Sequence, residues 1–267
     1  MAPIRVVVHG ALGKMGQTVL EGVAQESDMT PVGGVDVGAS EATLGVAGLK
    51  GQIPLAAALT KLPESVKPDV LVDFSVAHAS LPAVRWAAEH KVNFVVGTTG
   101  LSSDVVEEMG ALAAKHGVGG MVAPNFALGA VLMMYLAKKA APFFDYAEII
   151  ELHHETKIDA PSGTSAATAR LISEARGQAL KRNVPSVESV PGTRAGAVDG
   201  VTIHSVRLPG FLAHQEVIFG TAGQTMSIRH DTINRTCYLP GITIAIKHVA
   251  KNKGLVFGLD QLLGLKD

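Results

Sequence analysis

The sequence predicts an α/β fold: an amino-terminal, doubly wound parallel sheet, followed by a second α+β domain built on a mixed, largely open sheet. Between residues 4 and 123, short apolar strands alternate with helical segments, a pattern typical of parallel sheets. A glycine-rich turn joins the first strand to the first helix. Beyond residue 126 the strands follow one another more directly, as they do in antiparallel or mixed sheets.

Composition narrows the classes of function. The 267 residues are 47% hydrophobic and 18% charged, and their formal net charge of −1 gives no general attraction to nucleic acid or to an anionic membrane. Cys237 is the only cysteine, so neither an internal disulfide nor a thiolate metal cage can form, and we expect no metal. The first strand starts too early for a signal peptide, and no apolar run approaches the ~20 residues of a membrane span. We therefore expect a cytoplasmic protein.

The first strand–loop–helix unit favours dinucleotide binding. A strand over residues 4–9 leads into the glycine loop, residues 10–16, and then into a helix over 17–25. Asp36 ends the next strand, about twenty residues after the loop, where a Rossmann-type sheet places the acid that meets an adenosine ribose. Asp36 favours NAD, whereas Lys14 favours the 2′-phosphate of NADP. The loop residues expected to contact the dinucleotide are Gly10, Ala11, Leu12, Gly13, Lys14 and Met15.

Later loops lie where a nucleotide-binding sheet presents its ligand, at the carboxyl ends of strands. We expect strands over residues 70–74, 94–96 and 120–123, separated by helices over 81–90 and 104–116. Two of the loops carry small or hydrogen-bonding side chains that could approach a nicotinamide ring, and their residues are Gly97, Thr98, Thr99, Ala123, Pro124, Asn125 and Phe126. Residues 73–75 occupy a similar strand end, where a structural role and a functional one are equally supported.

Residues 151–164 concentrate the polar side chains that chemistry needs. His153 and His154 face opposite sides if the strand that precedes them continues through both. The Ser-Gly-Thr sequence at 162–164 predicts a capped helix start, whose free amides bind anions. Lys157 adds a positive charge before it, so the segment predicts an acid-binding site beside a titratable histidine. A zinc site is less well supported, because neighbouring strand histidines diverge.

These motifs closely resemble the dihydrodipicolinate reductase family, also called 4-hydroxy-tetrahydrodipicolinate reductase, over essentially the whole chain. The residues that carry the resemblance are 10–16, 97–100, 123–126 and, above all, 151–164. The resemblance implies that NADPH or NADH reduces a cyclic dicarboxylic imine to tetrahydrodipicolinate in lysine and diaminopimelate biosynthesis, with loss of water from the hydroxylated precursor.

The resemblance also implies roles for individual residues. His153 would be the proton donor, and Lys157 a second donor or charge stabiliser. His154 would contact the substrate, while Gly163 and Thr164 would cradle a carboxylate. Elementary chemistry agrees, because hydride delivery to an electron-poor double bond leaves an enamine-like anion that needs a proton and nearby positive charge.

The resemblance has consequences for organisation and for specificity. The order of elements predicts a dinucleotide-binding domain over residues 1–124 and 236–267 and a substrate-binding and oligomerisation domain over 125–235. The open edge of the second sheet favours a homotetramer, and the resemblance points the same way. Many members carry basic residues where this chain has Glu155 and Thr156, so the field near Lys157 is expected to be milder. Many also carry an Arg where this chain has Val37, so the choice between NADPH and NADH rests on Lys14. Two alternatives remain, a dehydrogenase of another small acid and a nucleotide-sensing module, because a fold alone does not determine a substrate.

Overall fold

The computed structural model describes residues 2–265 and divides into two compact units, Met1–Phe126 with Arg235–Asp267 and Ala127–Asn234. The strands are β1 (Ile4–His9), β2 (Met29–Val35), β3 (Thr43–Gly45), β4 (Gln52–Ala56), β5 (Val70–Asp73), β6 (Asn93–Val96), β7 (Gly119–Val122), β8 (Tyr146–His153), β9 (Gly196–Val198), β10 (Val201–Arg207), β11 (Ala213–Thr221), β12 (Gln224–Thr232) and β13 (Gly254–Phe257). The helices are α1 (Lys14–Gln25), α2 (Ala77–Glu89), α3 (Ser103–His116), α4 (Leu128–Ala140), α5 (Gly163–Arg176), α6 (Leu239–Val249) and α7 (Leu259–Leu262).

The first unit is built on a sheet with the strand order β13-β7-β6-β5-β1-β2-β4-β3. All neighbouring strands are parallel except β3 and β4. The last residues of β1, β5 and β6 are in register, His9 beside Asp73 and Asp73 beside Val96. The loops that follow these strands therefore leave from the same edge of the sheet, which is where such sheets bind nucleotides.

Burial on both faces explains the continuous apolar strands of this sheet. Val6, Val7 and Val8 are all fully buried, as strands covered by helices on both sides require. The core includes Phe94 of β6 and Met109 of α3. The predicted doubly wound parallel sheet is confirmed.

The second unit contains a five-stranded sheet in the order β12-β11-β8-β10-β9. β8 runs parallel to β10 and antiparallel to β11, so the predicted mixed sheet is also confirmed. Its core joins Ile149 of β8 and Val217 of β11 to Ile172 of α5 and Met133 of α4. β12 forms one edge of this sheet.

Several element limits differ from the expectation. α1 begins at Lys14, because Gly13 is extended and takes the cap position, so Lys14 belongs to the helix and not to the loop. β8 ends at His153, so His154 lies in the following turn, and the argument from opposite strand faces does not apply to it. The sequence does not predict the strands β3, β4 and β13, because they are short and each contains a glycine or a proline. Within residues 2–265, no helix is long and apolar enough to cross a membrane.

Candidate active site

The end of β8 carries a histidine held by a buried carboxylate. Glu151 and His153 are two residues apart on the strand, so their side chains lie on the same face. Nδ1 of His153 contacts Oε2 of Glu151, whose side chain is fully buried. Arg207, in register with His153 on the neighbouring strand β10, donates to Oε2 at 2.9 Å and to Oε1 at 2.7 Å.

The charge state of Glu151 determines which nitrogen of His153 is available. Burial acts to raise the pKa of Glu151, but hydrogen bonds from His153, Arg207 and Ser205 outweigh it and lower the pKa to about 2. An ionised carboxylate only accepts hydrogen bonds, so Nδ1 of His153 must carry a proton. Nε2 is then the atom that can exchange a proton with a ligand. The His153 side chain keeps 13% of its surface exposed.

The turn after β8 brings further positive charge to this end of the strand. Lys157 is partly buried, and its Nζ donates to Oδ1 of Asp159 at 2.6 Å. Arg207 donates to the backbone oxygen of Asp159 at 2.7 Å, which ties the turn to β10. The hydrogen bond from Lys157, opposed by partial burial, lowers the pKa of Asp159. His154 is held by its neighbour in the turn, since its Nδ1 lies 2.8 Å from Oγ1 of Thr156.

The amino-terminal end of α5 confirms the predicted capped helix start. Oγ of Ser162 accepts from the amide of Ser165 at 3.1 Å, and its carbonyl accepts from the amide of Ala166 at 3.0 Å. The preceding amides, of Gly163 and Thr164, have no intrahelical acceptor by helix geometry. Gly163 is exposed, and an added Cβ would meet nothing within 4 Å. The two amides therefore lie at an open helix end that suits a carboxylate.

Buried hydrogen bonds fasten this helix end to the sheet. Oγ of Ser165 donates to Oε1 of Gln215 at 2.6 Å, and Nε2 of Gln215 donates to Oγ1 of Thr168 at 2.9 Å. Thr168 in turn donates to the backbone oxygen of Thr164 at 2.8 Å. Sequence reasoning missed Gln215 and Arg207, because each acts on a residue about fifty positions away and neither stands in a motif.

The glycine loop in the first unit is shaped by close backbone approaches. Gly10 has a φ of +83°, which favours glycine. A Cβ on Gly16 would lie 2.0 Å from the backbone oxygen of Gly10, so only glycine fits there as well. The amides of Gly10 and Ala11 donate to the oxygen of Val35 at 2.8 and 3.1 Å. Gly13 caps α1 through its backbone alone, so the first-turn amides of α1, including those of Lys14 and Met15, face the loop without a side-chain cap.

Asp36 is partly buried at the end of β2 and supports the glycine loop directly. Its Oδ2 accepts from the amide of Leu12 at 3.0 Å, and its Oδ1 accepts from the amide of Gly38 at 2.9 Å. Each carboxylate oxygen can accept more than one hydrogen bond, so Asp36 retains capacity for hydroxyl groups. Val37, beside it, is 91% exposed and offers no charge.

Lys14 lines a cavity of about 560 Å³ within the first unit, together with Arg235 and Thr236. The cavity lies along α1 and the turn before α6. Two cationic side chains at one cavity suit a phosphate group. Arg235 had no part in the sequence argument for cofactor preference.

The loops after β6 and β7 leave the same sheet edge as the glycine loop. Thr98 is buried and donates to Oδ2 of Asp73 at 2.9 Å, whereas Thr99 is exposed. A Cβ on Gly97 would lie 2.2 Å from the ring of Phe74. In the second loop Ala123 and Phe126 are buried, Asn125 is partly buried and Pro124 is exposed. Among residues 2–265, no three His, Cys, Asp or Glu side chains form a group that could hold a metal ion.

Comparisons with known proteins cover both units. The family model described as "Dihydrodipicolinate reductase, N-terminus" matches residues 4–126, and that described as "Dihydrodipicolinate reductase, C-terminus" matches residues 129–263. The chain is 52% identical to 4-hydroxy-tetrahydrodipicolinate reductase of Dehalococcoides mccartyi over 99% of this chain and 100% of the relative. It is 46% identical to the reductase of the same name from Moorella thermoacetica over 98% of this chain and 99% of the relative.

Solved structures agree with these relatives. Dipicolinate-bound dihydrodipicolinate reductase from Paenisporosarcina sp. TG-14 is similar with a TM-score of 0.84 and 39% identity, over 97% of this chain and 99% of that one. An amine dehydrogenase from Mycobacterium smegmatis is similar with a TM-score of 0.63 at 17% identity, over 95% of this chain and 94% of that one. The second likeness extends to the fold alone.

Proposed function

This chain belongs to the dihydrodipicolinate reductase family, and we propose that it reduces 4-hydroxy-tetrahydrodipicolinate to tetrahydrodipicolinate in lysine and diaminopimelate biosynthesis, with NADPH or NADH as the reductant. The observation that carries the proposal is the group formed by Glu151, His153 and Arg207, in which a histidine contacts a buried carboxylate that is paired with an arginine. In the balanced reaction, a hydride and a proton enter the substrate, and its hydroxyl group leaves as water.

The first unit supplies what a dinucleotide needs. The uncapped start of α1 would hold the pyrophosphate, and Asp36 would accept from the adenosine ribose. The loops with Gly97, Thr98 and Thr99, and with Ala123, Pro124, Asn125 and Phe126, would border the nicotinamide end. When bound, the nicotinamide supplies the hydride. The residues orient the cofactor and stabilise charge, with Lys14 and Arg235 available to a 2′-phosphate.

His153 would deliver the proton from Nε2. Ionised Glu151 stabilises the protonated imidazole, and Arg207 keeps Glu151 ionised and oriented. The ammonium of Lys157 would stabilise the negative charge that develops on the substrate as hydride arrives, or supply a second proton.

The start of α5 would bind a substrate carboxylate. The amides of Gly163 and Thr164 and the threonine hydroxyl are donors at an open helix end, and His154 would provide a further contact. The Paenisporosarcina relative was solved with dipicolinate bound, and dipicolinate is a ring with two carboxylates. We expect this chain to bind dipicolinate through the start of α5.

The proposal is tested by following the oxidation of NADPH and of NADH with freshly prepared 4-hydroxy-tetrahydrodipicolinate as the substrate. Steady turnover with at least one cofactor is expected, and an unrelated keto acid serves as the control substrate. A dehydrogenase of another acid would give the reverse pattern. Absence of oxidation with either cofactor would rule the proposal out.

We further propose that the chain acts as a cytoplasmic homotetramer, with residues 125–235 providing the subunit contacts and the substrate site, and residues 1–124 and 236–267 binding the dinucleotide. The support is the edge strand β12, whose backbone can pair with another chain. Light scattering of the purified protein tests this, and a monomeric mass would contradict it.

A further inference from the structure

Asp73 is a fully buried carboxylate at the carboxyl end of β5, between the loops assigned above to the cofactor. We propose that Asp73 is a positioning residue that holds the loops after β5 and β6 in the shape that receives the nicotinamide cofactor. The inference rests on the proposed function, because it assumes that the loop after β6 borders the dinucleotide.

Five hydrogen bonds converge on this one side chain. Oδ1 of Asp73 accepts from Nδ1 of His9 at 2.9 Å, from the amide of Ser75 at 3.2 Å and from its hydroxyl at 2.6 Å. Oδ2 accepts from the hydroxyl of Thr98 at 2.9 Å and from the hydroxyl of Ser80. The two oxygens thus serve different elements: Oδ1 holds the end of β1 and the loop after β5, and Oδ2 holds α2 and the loop after β6.

A buried carboxylate is costly to the fold unless hydrogen bonds compensate for its lost hydration. Burial acts to raise the pKa of Asp73, but the bonds from His9, Ser75 and Ser80 outweigh it and hold the pKa below its usual value. An apolar residue could fill this strand end at lower cost, as Val96 does at the end of β6. A carboxylate adds directional bonds, which hold the loops in one conformation.

These bonds determine what the loop after β6 presents. The Thr98 hydroxyl is directed inward to Asp73, and the amide of Gly97 donates to the backbone oxygen of Asp73 at 2.9 Å. The exposed Thr99 is therefore the part of this loop that faces a ligand. Gly97 packs against Phe74. The ring centroid of Phe74 lies 5.9 Å from that of Phe126, in the loop after β7. Asp73 and the adjoining Phe74 therefore contact the end of β1 where the glycine loop begins, the loop after β6 and the loop after β7.

Two variants distinguish a role of Asp73 in positioning the cofactor loop from a role in the stability of the fold. Each removes one hydroxyl that donates to Oδ2 of Asp73, so the two should cost the fold similar stability. Thr98→Val alters the cofactor loop, and Ser80→Ala alters α2, which has no part in the proposed site. We expect Thr98→Val to raise the KM and the Kd for the cofactor by roughly tenfold, the loss typical of one hydrogen bond to a charged group. Ser80→Ala should change both by less than about twofold, and Thr98→Ser should restore the wild-type values.

A second pair tests the carboxylate itself. Asp73→Asn should weaken cofactor binding, whereas Asp69→Asn, at the opposite end of the same strand and bonded to Arg5, should leave it unchanged. Thermal unfolding identifies any variant that fails to fold, and the Thr98 and Ser80 pair then decides the question.

Cofactor binding is measured directly, by the fluorescence of bound NADPH, as well as through turnover. Wild-type protein that binds the cofactor but does not turn over would remove the proposed reaction and leave the positioning role standing. Equal effects of Thr98→Val and Ser80→Ala on the cofactor Kd would overturn the positioning role, and so would an unchanged Kd in Thr98→Val.

Discussion

At the scale of single residues, the state of His153 depends on Glu151 and, through it, on Arg207, which is distant in the sequence. The spacing of Glu151 and His153 on a strand indicates a shared face, but Arg207 comes from another strand and reaches Glu151 only through sheet pairing. The histidines and Lys157 could be selected from the sequence because they stand in a motif. The tautomer of His153 could not be predicted from the sequence, because it depends on the buried ion pair between Glu151 and the distant Arg207.

Replacing His153 or Lys157 by Ala is expected to lower kcat by about 10²–10⁴-fold, the usual contribution of a positioned proton donor. His204→Ala is the matched control, because His204 also pairs with a glutamate on this sheet, Glu148, at 2.7 Å. Steady-state kinetics of the three variants measure this. Unchanged kcat in both His153→Ala and Lys157→Ala would contradict the roles given to these residues.

Glu151→Gln is expected to lower kcat and to destabilise the protein by about 3 kcal/mol near neutral pH, because it leaves Arg207 without its buried partner. The folded-state pKa of Glu151, about 2, lies below its ordinary value of 4.5. Its contribution to stability is therefore present above pH 4.5 and is lost as the pH falls towards 2. Urea unfolding across this pH range should show that the difference in the free energy of unfolding between wild type and variant becomes smaller as the pH falls. A difference that stays constant would refute the assignment.

At the scale of elements, the sequence predicts best where one pattern dominates. The centre of β1, Val6 to Val8, is continuously apolar because helices cover both faces of the sheet. The start of α5 follows from Ser162 as a cap. The sequence does not predict the ends of elements, or short strands, where contacts with distant parts of the chain determine them. β4 contains Pro54, and β13 is only four residues long, yet each pairs with a neighbouring strand of the first sheet. No local pattern indicates such pairing.

Ser162→Ala removes the cap of α5 and should cost about 1 kcal/mol of stability while raising the substrate KM, since the carboxylate-binding amides lose their fixed orientation. Ser102→Ala is the matched control, because Ser102 caps α3 by accepting from the amide of Val105 at 3.4 Å. That variant should lose stability without a change in substrate KM. Equal KM values in the two variants would argue against carboxylate binding at α5.

Lys14→Ala tests the start of α1 as the determinant of cofactor choice. Val37 beside Asp36 is exposed and uncharged, and Lys14 lines one cavity with Arg235. We therefore propose that Lys14 attracts the 2′-phosphate. The variant should raise the KM for NADPH several-fold more than that for NADH, because only NADPH carries the additional phosphate. Comparison of kcat/KM for both cofactors measures the effect. An NADPH preference that survives the substitution would refute the role of Lys14.

At the scale of the whole molecule, the proposed function assigns cofactor binding to one unit and substrate binding to the other. The first unit has the glycine loop and Asp36 of a dinucleotide-binding sheet. The second has His153 beside a buried carboxylate, Lys157 and the start of α5, to which we assign proton transfer, charge stabilisation and carboxylate binding. The order of strands and helices predicts this organisation, because parallel and mixed sheets differ in their connections. The hydrogen-bond networks of Asp73 and Gln215 could not be predicted, since each depends on strands that meet only in the folded chain.

Hydride transfer to a cyclic dicarboxylate can be followed with a cofactor in which deuterium replaces both hydrogens on the hydride-donating carbon of the nicotinamide ring. Wild-type protein, the cofactor and 4-hydroxy-tetrahydrodipicolinate are incubated together, and the product is analysed by mass spectrometry. The account predicts tetrahydrodipicolinate that carries a single deuterium, formed far more slowly by His153→Ala. Product without deuterium, or no product at all from the wild-type protein, would contradict it.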